Sequence, residues 1–148
     1  MKKYLLYIFD WQDTLVDGYS GIIFDGVLEL LKYLKANGIK VAIATGSGRE
    51  SFEMMLKIVN LEGYFDYTKT ISECKHKPDP DMLNQILDQS CVDRKDAIMI
   101  GDTEYDIEMA NSAGIDSVWI SNNSYSSDTV SATHYLHNIN ELYELVTE

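Results

Sequence analysis

The stretch YLLYIFDWQDTLVD, residues 4–17, decides the fold. Tyr4 to Phe9 is an apolar run rich in residues that favour strands, and it stops abruptly at Asp10. Such a run, unalternated and closed by a turn-forming residue, suits a parallel strand buried on both faces. Ile39 to Ala44 is a second run, broken by Thr45-Gly46-Ser47-Gly48, and Ala97 to Ile100 is a third, ended by Gly101-Asp102. Ser117 to Ile120 is a fourth, ended by Ser121-Asn122-Asn123. Tyr67 to Ile71 is weaker and alternating. A last short strand is expected around His134 to Leu136, after a Ser- and Asn-rich loop at Ser121 to Ser131.

Helical stripes lie between these runs. Val27, Leu30, Leu31 and Leu34 recur at three and four, and Asn37-Gly38 is a stop signal. Phe52, Met55, Leu56 and Val59 form another stripe. Met82, Leu83, Ile86 and Leu87 follow Pro78 and Pro80, which suit a helix start. Ile107, Ala110 and Ala113 precede Gly114, and Leu142, Leu145 and Val146 form the last stripe. Strands alternating with helices predict an α/β fold, a Rossmann-like open and mostly parallel sheet with helices on both faces. No repeat or linker interrupts the pattern, so residues 1–148 read as one domain with room for a proper core.

Hydrophobic residues at 45% and charged residues at 24% are ordinary for a soluble globular chain. The 24 acidic residues outnumber the 12 basic ones, for a formal charge of -12. Such a surface repels polyanions, so no nucleic-acid partner is expected. The first apolar run is far too short to span a membrane or to serve as the core of a secretory signal. Cys74 and Cys91 make neither a disulfide framework nor a four-ligand metal site. They read as reduced thiols, and the chain as cytoplasmic.

In open α/β sheets, ligands bind beyond the carboxyl ends of the strands. Asp10, Thr45 and Asp102 end three expected strands at that edge, and Lys77-Pro78, opening the helix after the weaker strand, reaches the same place. This set suits phosphate. Two carboxylates with a backbone carbonyl would hold Mg²⁺, which prefers oxygen ligands. Thr45-Gly46-Ser47-Gly48 leads into a helix whose free N–H groups favour an anion. Lys77 offers a fixed positive charge, and Asp10 a nucleophile able to form an aspartyl phosphate. Each residue alone is explained as a turn or a helix cap; their order and common edge suggest a site.

Four motifs carry a resemblance. FDWQDTLVD (9–17), VAIATGSGR (41–49), KPDPDML (77–83) and IGDTEYDIEMANSAG (100–114) resemble, in order, the motifs of haloacid-dehalogenase-superfamily phosphatases. The lysine motif is that of the phosphoglycolate-phosphatase-like branch. The resemblance implies that Asp10 is nucleophile and Mg²⁺ ligand, and that Thr45, Gly46 and Ser47 hold the phosphate. It implies that Lys77 pairs with Asp10 and the phosphoryl group, that Asp102 ligates Mg²⁺, and that Asp106 is a further or outer ligand.

Two departures stand out. The family pattern DxDGT has a second Asp as general acid and base, and here that position is Gln12, followed by Asp13 instead of Gly. Gln12 still offers a backbone carbonyl to Mg²⁺, but its side chain cannot transfer a proton. Asp13 stands one residue late, so its side chain either points elsewhere or bends back to take over the role. The second departure is a missing cap: only about seven residues, Gly18 to Phe24, precede the first helix. An uncapped site accepts phosphorylated macromolecules as well as phosphorylated small molecules, or borrows a lid from a second subunit of a homo-oligomer. Tyr19, Ile22, Ile23 and Phe24 are candidates for such a contact. The leading reading is a Mg²⁺-dependent phosphatase acting through Asp10, slowed by Gln12. The alternative is a phosphate- or Mg²⁺-binding pseudo-enzyme. A haloacid dehalogenase fits poorly, because Asp102 and Asp106 would be superfluous there.

Overall fold

A computed structural model of the chain describes residues 1–121 and 130–148, so most of the Ser- and Asn-rich stretch lies outside the described residues. Among the described residues, six strands form one parallel sheet: β1 (Leu6–Phe9), β2 (Lys40–Ala44), β3 (Tyr67–Lys69), β4 (Ala97–Gly101), β5 (Asp116–Ile120) and β6 (His134–Leu136). Five α-helices accompany them: α1 (Val27–Ala36), α2 (Arg49–Ile58), α3 (Asp81–Ser90), α4 (Glu104–Ala113) and α5 (Ile139–Thr147). The sheet order is β3-β2-β1-β4-β5-β6. Every pairing is parallel.

The unalternated strand sequences have a direct physical reason. Tyr7 and Phe9 of β1 face one core, with Leu30, Leu31 and Leu34 of α1, Phe52 of α2 and Leu142 of α5. Leu6 and Ile8 face the other, with Met82, Leu83 and Ile86 of α3 and Met109 and Ala110 of α4. A central strand covered by helices on both sides must be apolar at every position, and all of β1 is buried. The helical stripes are the faces that cover it.

Three boundaries differ from expectation. β1 begins at Leu6, although the Leu5 N–H still donates to the Asp96 carbonyl at 2.8 Å; Leu5 itself is exposed, and the Tyr4 hydroxyl donates to Asp116 Oδ2 at 2.6 Å. β3 stops at Lys69 because the Thr70 N–H donates to Glu73 Oε1 at 2.8 Å, forming a turn. α3 begins at Asp81 rather than at Lys77-Pro78, leaving Lys77 on an irregular segment. The four candidates for a lid contact, Tyr19, Ile22, Ile23 and Phe24, also divide. Tyr19 and Ile22 are 101% and 66% exposed, whereas Ile23 and Phe24 pack against the chain's own core.

Candidate active site

The strand order reverses between β1 and β4, and a crevice is expected at their carboxyl ends. Asp10 follows β1 directly, and Asp102 follows β4. The Asp10 N–H donates to the Ile100 carbonyl at 2.9 Å, which fixes the exit of β1 against its neighbour. A pocket of about 300 Å³ opens here. Asp10, Gln12, Thr45, Ser47, Lys77 and Asp102 are among the residues lining it. Gly46, Asp13, Thr103 and Tyr105 complete the wall.

Lys77 is the pivot of the charges. Its Nζ donates to Asp10 Oδ1 at 2.7 Å and to Asp106 Oδ1 at 2.6 Å. Asp106 has no exposed surface and lies behind the pocket wall. Its second oxygen accepts from the Asp102 N–H and the Thr103 N–H, each at 3.2 Å, and from the Thr103 hydroxyl at 3.0 Å. Thr103 in turn accepts from the Asp106 N–H, closing a capping box at the start of α4. Four donors thus occupy its two oxygens, and Lys77 is one of them. Burial pushes the carboxyls of Asp106 and Asp102 up, each reinforced by a neighbouring carboxylate. Burial also pushes Asp10 up to about 6, against the pull of Lys77. The two carboxylates hold Lys77 firmly protonated despite its burial.

One oxygen each from Asp10, Asp102 and Asp106 lie within 4.8 Å of one another. The Gln12 carbonyl, beside Asp10, accepts no hydrogen bond among the described residues. An all-oxygen donor set with crowded negative charge fits a hard divalent cation such as Mg²⁺. The structure therefore brings together every residue that the sequence reading placed here.

Thr14 lies within the first motif, where its residue type alone suggests no role. It is buried, and its hydroxyl is shared between Asp10 Oδ2 at 3.4 Å and Asp102 Oδ1 at 3.2 Å. Trp119 supports the same strand end: its indole N–H donates to the Asp102 carbonyl at 3.1 Å. No local pattern marks either contact. The capping box was legible, because Thr103 stands three residues before Asp106. Asp13 sits at φ 62°, in the glycine's place in the motif, and its Oδ1 accepts from the Gly18 N–H at 2.9 Å. That carboxylate is engaged in the turn.

A profile of the protein family described as haloacid dehalogenase-like hydrolase matches residues 3–120. A protein of Caldanaerobacter subterraneus subsp. tengcongensis named for the pyrophosphatase PpaX is 40% identical over 110 residues, 74% of this chain and 50% of that protein. The pyrophosphatase PpaX of Bacillus thuringiensis is 34% identical over 115 residues, 77% of this chain and 51% of its own. This chain thus spans about half the length of the curated relatives it matches. Among solved structures, a HAD phosphatase from Thermococcus onnurineus superposes with a TM-score of 0.75 at 26% identity. That match covers 84% of this chain and 58% of the other.

Proposed function

This chain belongs to the haloacid dehalogenase-like hydrolase family, and from that premise we propose that it is a Mg²⁺-dependent phosphatase working through an aspartyl phosphate on Asp10. The observation that supports this most is the Asp10 carboxylate, buried at the end of β1 with Oδ1 held by Lys77 and Oδ2 near the Thr14 hydroxyl. Asp10, Asp102 and the Gln12 carbonyl would hold Mg²⁺, with Asp106 behind them. The bound metal would screen the phosphate's charge and polarise its oxygens.

Lys77 fixes the plane of the Asp10 carboxylate and sets a positive charge beside the phosphoryl oxygens. The segment Thr45 to Ser47 faces the same pocket and would hold those oxygens. Asp10 attacks phosphorus, an acyl phosphate forms, and the bond to the leaving oxygen breaks. Water then attacks that phosphorus and releases phosphate. The leaving oxygen and the attacking water both call for a proton carrier. Gln12 cannot be one, which costs about 10²–10⁴-fold in rate. Substrates whose leaving group departs without a proton are favoured, among them activated aryl phosphates and, as the relatives' names suggest, pyrophosphate. The uncapped pocket admits small phosphorylated molecules and phosphorylated macromolecules alike, in the cytoplasm.

The test is a stopped-flow assay of an activated aryl phosphate with Mg²⁺. A burst of about one aryl alcohol per site, then slow turnover, is expected from two-step covalent catalysis. Asp10→Asn removes both. Gln12 itself favours a second reading, a phosphate- or Mg²⁺-binding domain without turnover. That reading wins if neither the wild type nor Gln12→Asp shows a burst, turnover or a phosphoenzyme. No feature of the pocket favours a dehalogenase.

A further inference from the structure

The eleven-residue segment from Thr70 to Pro80 has no regular secondary structure, yet it must deliver Lys77 to the site. Its start is tied to the loop after β2 by a second charged pair, outside the pocket. Arg49 is the first residue of α2, and Glu73 lies four residues before Lys77. The Arg49 guanidinium forms an ion pair with Glu73 Oε1 through Nη2. It also donates to Thr68 Oγ1 at 2.7 Å and to the Thr68 carbonyl at 2.9 Å. Glu73 in turn accepts from the Thr70 N–H at 2.8 Å and from the Thr70 hydroxyl at 2.9 Å. The backbones are tied as well. The Arg49 N–H donates to Ser72 Oγ at 2.9 Å, and the Ile71 N–H donates to the Ser47 carbonyl at 3.2 Å. In a trans peptide the C=O and N–H are antiparallel, so this last bond turns the Gly48 N–H away from the 70–80 segment.

We propose that Arg49 and Glu73 are positioning residues that set the phosphate affinity of the site, by holding the Thr45–Gly48 loop in register with the segment that carries Lys77. This rests on the reading of that loop and Lys77 as phosphate ligands. Neither residue lines the pocket, and each acts through the ligands it holds. Both side chains are about one-third exposed, at 33% and 32%, so a simple stabilising ion pair there contributes little. The guanidinium fork, by contrast, joins β3, α2 and the Lys77 segment at once, where a point charge could not.

The experiment is calorimetric titration of inorganic phosphate into the Mg²⁺-loaded protein, with KM and kcat for an activated aryl phosphate beside it. Glu73→Gln and Arg49→Ala should bind phosphate roughly ten- to a hundredfold more weakly, the scale of a small misplacement of ligands. KM should rise by a like factor with a smaller change in kcat, as when binding common to ground and transition states is lost. Mg²⁺ affinity should stay within twofold, because neither residue touches Asp10 or Asp102. Arg49→Lys keeps the charge without the fork and should fall between; it also serves if Arg49→Ala does not melt cooperatively. The double variant Arg49→Ala/Glu73→Ala should be no worse than the worse single. Folded variants that bind phosphate as the wild type does, whatever their melting temperature, overturn the clamp alone. A wild type that binds phosphate without turnover overturns the phosphatase reading and leaves the clamp standing on its binding data. A wild type that neither binds phosphate nor turns over substrate overturns both.

Discussion

At the scale of single residues, the proposed mechanism turns on Gln12, whose side chain cannot serve as the proton carrier. Gln12→Asp should raise steady-state turnover of a phosphomonoester with a poor leaving group by about 10²-fold or more, the usual worth of general acid–base help. Asp13→Asn is the control. Asn accepts the Gly18 N–H and tolerates positive φ as Asp does, so turnover should change less than twofold. If Asp13→Asn abolished turnover and Gln12→Asp left it unchanged, Asp13 would be the proton carrier. The carboxylates also set a pH dependence. The folded chain holds Asp10 at about 6, against an ordinary 3.8, with burial as the chief cause. Between those values the folded state binds more protons than the unfolded one. Metal-free stability therefore falls as pH rises through this window and levels off above it. Asp102→Asn removes one crowding charge, so it should raise the metal-free melting temperature at pH 7 and approach wild type near pH 4. It should also erase the stabilisation by millimolar Mg²⁺ that a ligand of the folded state supplies. Differential scanning fluorimetry with and without Mg²⁺ reads both, and a wild-type melt indifferent to Mg²⁺ would remove the metal site.

At the scale of elements, the junction of β4 and α4 carries the most. A Cβ on Gly101 would lie 2.3 Å from the Asp106 Cβ and 2.6 Å from its Cγ. Neither atom is the end of a flexible chain, so Gly101→Ala must push α4 away or turn Asp106 off Lys77. It should cost about 1–3 kcal/mol by overpacking. It should also lower kcat by about 10²-fold through the misplaced lysine. A urea melt and a single-turnover rate separate the two effects. Thr103→Ala removes the cap while leaving the backbone donors on Asp106, and should cost about 1 kcal/mol with a lesser effect on rate. The sequence displayed that cap as Thr-x-x-Asp, and it displayed α3 by its stripe. It did not display where α3 starts. The Asp81 carboxylate accepts from the Lys75 N–H at 2.9 Å, across a segment whose course is set by tertiary contacts.

At the scale of the whole molecule, the six-stranded parallel sheet places the site at its reversal point, with no cap above it among the described residues. The loop after β1 instead ends in exposed Tyr19 and Ile22. A second subunit that lends a lid would bury these two side chains. Sedimentation should then show association rising over micromolar concentrations, and Ile22→Glu should return the protein to monomer. An invariant monomer in the wild type would discard the borrowed lid.

The class of fold follows from the residues alone, since unalternated apolar runs at β1, β2, β4 and β5 can be satisfied only between two layers of helices. So does the placing of Asp10, Thr45 and Asp102 at the sheet's carboxyl edge, because each directly follows a strand. How they meet, and how Lys77 joins them, depends on contacts distant in the chain. Lys77 bonds to Asp10 across 67 positions and to Asp106 across 29. Thr14 reaches Asp102 across 88. Partners so far apart leave no periodicity to read, and their bonding depends on the register of β1 with β4 and on the clamp that steers the Lys77 segment.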